Sequence, residues 1–208
     1  MSVNLIATNR NVDASTRDHT NWLAITAIAP DHGMVFIDEN TVDSIARLLD
    51  GQKLSNGEAV CAYAYDDDCS PPYVSSFGPC LLPTQVQDQI RDRLALSENG
   101  KTAVRLFNEI IRLGLQITLN GKEHCPAYIK GVNWVADEVE INRCQGNMLA
   151  MLRDLGIDAR YEGPCEVEFD TFSAAVQARA HLTDYSAARL AAFVASGRRQ
   201  KATHVYWA

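Results

Sequence analysis

No stretch of this 208-residue chain is long and apolar enough to read as a membrane-spanning helix. The opening MSVNLIATNRNVDASTRDH lacks a basic start followed by an apolar run, so it does not read as a secretory leader. The specific motifs of catalysis are missing too. There is no G-x-G-x-x-G, P-loop, H-E-x-x-H, G-x-S-x-G, CxxC pair or EF-hand loop. That removes the enzymes readable from one motif and leaves those with scattered site residues. No repeat or low-complexity tract is present, which excludes a solenoid.

Positive charge is scarce in the first half. Residues 1–100 hold 6 Lys/Arg against 14 Asp/Glu, while residues 101–208 hold 13 against 12. The net charge is −7. Phosphates would be repelled by the acidic half, so direct nucleic-acid binding is disfavoured and a basic partner suits it. Acidity also keeps a protein soluble, which is the commoner reason for it.

What is present is ample core material, 47% hydrophobic residues with 22% charged. Six cysteines at 61, 69, 80, 125, 144 and 165 show no compact disulfide framework and read as a reduced, cytoplasmic set. Cys61 and Cys144 are expected to be small core residues. Cys69 and Cys80 flank one loop, but a reducing compartment disfavours a bond between them.

The pattern along the chain is mixed. Residues 1–21 lack periodicity and read as an arm or loose edge. NWLAITAIA (21–29) reads as a buried strand, hairpinned through Asp31-His32-Gly33 to MVFI (34–37). Residues 38–50 read as a helix capped by Asp38 or Asn40 and stopped by Gly51. EAVCAYAY (58–65) alternates like a strand. CSPPYVSSFGPCLLP (69–83) packs four of seven prolines into a stiff loop. Helices follow over 84–96 and 101–114, the second ending at Gly114. A strand from 115 turns at Asn120-Gly121, with Pro126 pushing the returning arm towards an edge. Another strand lies in 131–142, a helix over about 146–155, and a short strand over 165–169. Helices over 170–182, capped by Asp170, and 184–197, stopped by Gly197, precede a last strand in THVYWA (203–208). The expected class is α+β, with antiparallel hairpin-built sheets and about five to six helices packed on them. The expected division is a small acidic lobe (1–70), a Pro-rich connection (71–83) and a larger lobe (84–208).

The chemistry centres on Asp66-Asp67-Asp68. Strand alternation puts Asp66 and Asp68 on one side, the sensible pair for Mg²⁺. A solvated strand end and a docking surface are the other readings. The chosen functional reading is docking of a protein with a basic surface, with Tyr65 and Tyr73 on the rim. A nucleic-acid-binding enzyme held by carboxylates in place of phosphates is one such partner. No metal or cofactor is assigned. Cys69 is a poor nucleophile beside Asp68, because a carboxylate raises a thiol's pKa. His124 and Cys125 point apart on a strand. His124, Cys125, Cys144 and Cys165 are too widely spaced to give more than a weak zinc signal. His181-Leu-Thr is half of a two-histidine phosphoesterase pattern, without its second half. Arg198, Arg199 and Lys201 lie where a helix end favours cations, and Tyr206 and Trp207 read as packed. The expectation is therefore a cytoplasmic protein-binding, regulatory or inhibitory module. The alternative is a hydrolase or transferase with a scattered His/Cys/Asp site.

Overall fold

The first strand does not wait at the margin. Ser2–Thr8 (β1) sits inside a four-stranded antiparallel sheet, between Glu140–Cys144 (β6) and His204–Trp207 (β8), with Glu166–Glu168 (β7) beyond β8. This computed structural model describes residues 2–55, 57, 59–62, 74–121, 126–135, 140–160, 165–179 and 185–207. Cα packing divides the chain into an outer unit, Met1–Asp13 with Asp137–Ala208, and an inserted unit, Ala14–Ala136.

In the outer unit Leu5 stands opposite both Ile141 and Trp207, and Ala7 opposite Val205. Alternation therefore places Val3, Leu5, Ala7, Ile141, Val205 and Trp207 in one buried layer. Three helices, Gln145–Asp154 (α5), Phe169–Ala178 (α6) and Tyr185–Arg199 (α7), supply most of the rest of that core, with Leu155, Ile157 and Ala159 following α5. Phe172 and Phe193 meet edge-on at 5.5 Å between ring centroids.

The inserted unit has its own sheet, in the order Met34–Phe36 (β2), Tyr128–Val135 (β5), Leu115–Asn120 (β4), Val74–Phe77 (β3). Ala14–Thr26 (α1), Glu39–Leu49 (α2), Thr84–Ala95 (α3) and Gly100–Leu113 (α4) complete it. Ile25, Ile45, Leu49, Ile90, Leu94, Leu106, Phe107, Ile110 and Ile117 belong to one buried cluster. The class is α+β, with two antiparallel sheets and, among the described residues, seven helices, slightly more than expected.

Several local readings are corrected. Residues 21–29 are not a strand: the segment is the second half of α1 and the turn after it. Burial of Asn21 (7%), Ile25 (0%) and Ala29 (2%) steps by four, the helical period, while Leu23 is exposed. β2 therefore pairs with β5 and not with that segment. Residues 74–83 contain β3 and a 3₁₀ turn at Pro79–Leu81, and they lie inside the inserted unit. Asn120 pairs with Tyr128, so β4 and β5 are joined by seven residues and not by a two-residue turn. Pro126 precedes β5, which is an inner strand. Residues 59–62 alternate in burial as expected, with Val60 and Ala62 inward, but make only an isolated bridge between Ala59 and Lys53. Cys61 and Cys144 are exposed, not core. Asp170 lies in the first turn of α6, whose cap is Glu168.

Gly197 does not stop α7, which runs on to Arg199. A Cβ there would lie 2.2 Å from the ring of buried Phe169, so the glycine permits a close approach. Gly114, at φ +68°, does end α4 as expected. Asp38 caps α2: the Thr41 N–H and hydroxyl donate to its two carboxylate oxygens at 2.8 and 2.7 Å. Burial works against ionisation of Asp38, but these hydrogen bonds outweigh it and hold the carboxyl below its ordinary 3.8.

Two stability tests follow. Gly197→Ala should destabilise by about 1–3 kcal/mol through overpacking, although alanine is the better helix former. Gly146→Ala in α5, where a Cβ meets nothing within 4 Å, should be neutral or stabilising by up to about 1 kcal/mol. Urea midpoints that move in the same direction would refute this packing. For the cap, Asp38→Ala should cost about 1 kcal/mol at pH 7. Because the folded pKa is depressed, the ionised cap's contribution is complete above the unfolded value and is lost as pH falls through the folded one. The urea-midpoint gap between wild type and Asp38→Asn should therefore be constant near neutrality and change only on acidification below that value.

Candidate functional site

The residues expected to carry function, Tyr65, Asp66, Asp67, Asp68 and Tyr73, lie outside the described residues, as do Cys69, His124, Cys125 and His181. On either side of that acidic stretch Ala62 is fully buried and Val74 pairs with Leu119, both in the inserted unit. Among the described residues, no three His, Cys, Asp or Glu side chains converge as metal ligands. Trp207 is buried, Tyr206 is half-buried, and Arg198 and Arg199 form the last turn of α7.

A different site comes from the outer unit. α5 and α7 both rest on β1 and β6, while α7 packs on α6. Between α5, α7 and the end of α6 lies a groove of about 650 Å³. Its cause is legible in α7, YSAARLAAFVASGRR. Phe193 and Val194 are buried, but Ala188, Ala191 and Ala195 recur at helical spacing on the exposed side. Side chains that short do not fill the space towards α5.

The groove's floor is apolar and mostly buried: Met151 and Leu155 from α5 and its end, Leu190 and Val194 from α7, and half-buried Val176 from α6. Exposed Ala150 stands on the α5 wall. The charged lining is one-sided, with Arg143, Arg179 and Arg198 against Asp154. Arg143 is paired across the strands with Val3, so its side chain leaves the sheet on the helix side. Arg179 is the C-cap of α6, where a cation is favourable. Arg198 donates from Nη2 to the buried Ser173 hydroxyl at 2.8 Å, which fixes its direction. Asn147 and Gln177 add neutral polar groups.

An apolar floor with a few convergent polar groups is a composition common to ligand-binding and active sites. Guanidinium forks donate to carboxylates in bidentate geometry, which gives direction as well as attraction. The sequence reading missed it. Its signals were the alanine spacing in α7 and three arginines 19 or more residues apart in sequence, which only the fold brings to one groove.

Comparison with known proteins returns no match: neither a family model, nor a curated protein, nor a solved structure corresponds to this chain.

Wall and floor should respond differently to substitution. Ala191→Trp, on the exposed wall, should leave stability within about 0.5 kcal/mol of wild type. Leu190→Ala, in the floor, should cost about 2–5 kcal/mol. Equal losses in chemical denaturation would mean that Ala191 is packed and that no open groove exists.

Proposed function

We propose that this chain is a protein-binding, regulatory module, and the groove of the outer unit is the observation that carries the reading. It is a preformed surface with an apolar floor and oriented arginines, and among its described lining residues are one carboxylate and no histidine or cysteine. Recognition needs what that lining has; acid–base or nucleophilic catalysis needs a base or nucleophile beside the reacting atom.

The acidic stretch Asp66-Asp67-Asp68, with Tyr65 and Tyr73 beside it, is a second contact in this proposal, aimed at a basic partner. The inserted unit holds 10 Lys/Arg and 15 Asp/Glu, and the outer unit 9 and 11, so the extra negative charge of the inserted unit is that of Asp66, Asp67 and Asp68 themselves. An inhibitor that offers carboxylates in place of phosphates to a nucleic-acid-binding enzyme is one form of such a module. No helix among the described residues is long and apolar enough to cross a membrane, which is compatible with the cytoplasmic setting of this proposal.

The test is capture of a partner from native lysate at low salt, followed by titration of the purified pair. The combined Asp66→Asn, Asp67→Asn and Asp68→Asn substitutions should weaken binding by roughly tenfold or more at low salt, and by less at high salt. The melting temperature should stay unchanged. Undiminished binding at low salt removes the acidic contact from the proposal. Failure to retain any stoichiometric partner counts against the module as a whole.

A further inference from the structure

We propose that the groove between α5 and α7 is a docking site for an acidic amphipathic helix of a partner protein. This rests on the reading of the chain as a protein-binding module and names what the module's groove receives.

Length is the first argument. Along α7 the lining runs from Ala187 to Arg198, which at 1.5 Å per residue is about 17 Å, or three helical turns. A helix laid there places apolar side chains, spaced three and four residues apart, over Met151, Leu155, Leu190 and Val194. The short alanine walls let its backbone come close.

Charge is the second argument. The protein as a whole is acidic, at −7. Yet three of the outer unit's nine Lys/Arg side chains line this one groove, against the single Asp154. Arg179 and Arg198 make no ion pair among the described residues. A helix with Glu or Asp flanking its apolar stripe offers carboxylates to Arg179 and Arg198, and a basic helix is repelled.

Openness decides against the other occupants. Ala150, Ala188, Ala191 and Ala195 are exposed, so the groove is a trough and not an enclosed cavity. A small aliphatic anion would keep one flank of its tail in water there. A helix brings its own polar back to cover that side. A nucleic-acid strand would find no aromatic side chain among the described lining residues on which to stack.

The experiment is selection of displayed peptides on the immobilised full chain. The library holds helices of about 16 residues, roughly 24 Å long, with one apolar face and random charge elsewhere. Selected peptides should be net acidic. As free labelled peptides they should lose roughly tenfold or more in affinity with Ala191→Trp, and a smaller factor with Arg179→Gln. Both variants should melt with the wild type. Enrichment of basic or non-helical sequences overturns the proposal, as does affinity indifferent to Ala191→Trp. No enrichment above the Ala191→Trp chain also overturns it, and stabilisation by dodecanoate in that case reassigns the groove to a small amphiphile. A partner captured through Asp66-Asp67-Asp68 while the selection fails would leave the module reading intact and refute only the helix.

Discussion

The outer unit depends on one register: Leu5 of β1 set between Ile141 of β6 and Trp207 of β8. Those partners lie 136 and 202 residues further along the chain. A one-residue slip would turn Val3, Leu5 and Ala7 out of the core and put Asn4 and Ile6 in it. Without β1, β6 and β8 have no shared neighbour, and α5 and α7 lose one of the two strands on which both rest. The helices that line the groove therefore rest on a sheet that β1 joins together.

Long separation is affordable because closure entropy grows only logarithmically, by about 0.6 kcal/mol for each doubling of loop length. The intervening residues are not a slack loop, since the inserted unit has its own buried cluster, distinct from the outer one. The penalty is kinetic. Pairings this distant have high contact order, and β1 finds both partners only once residues 204–207 have been made.

What was legible in the sequence was what local periodicity controls. The amphipathic helices α2, α3 and α4, the α5 and β8 segments and the Gly114 stop all agree with the structure, because one buried face repeats at helical or strand spacing. The misreadings share a cause. In 21–29 an apolar run is compatible with either period, and only the packing of Ile25 and Ala29 selects the helix. Gly197 carries the signal of a helix stop, but the glycine serves contact with Phe169, a residue 28 positions away. Asn120-Gly121 invited a tight turn, but the β4–β5 register sets a longer connection. The groove escaped because alanine and arginine carry no motif. Their meaning comes from the space left between elements.

That space has a physical logic in α7. A helix normally needs tertiary packing to persist, as in α4, where Ala103, Leu106, Phe107 and Ile110 are buried together. Alanine is the exception, because it has the highest helix propensity and loses no side-chain entropy. A face made of Ala188, Ala191 and Ala195 keeps α7 helical without asking anything to pack against it. Leucine at the same positions would hold the helix equally well, but it would draw in α5 or leave a large apolar surface exposed. Alanine therefore lets α7 bury Phe193 and Val194 on one side while the other stays bare and formed. The floor beneath stays reachable, and the arginines around it give direction to whatever enters.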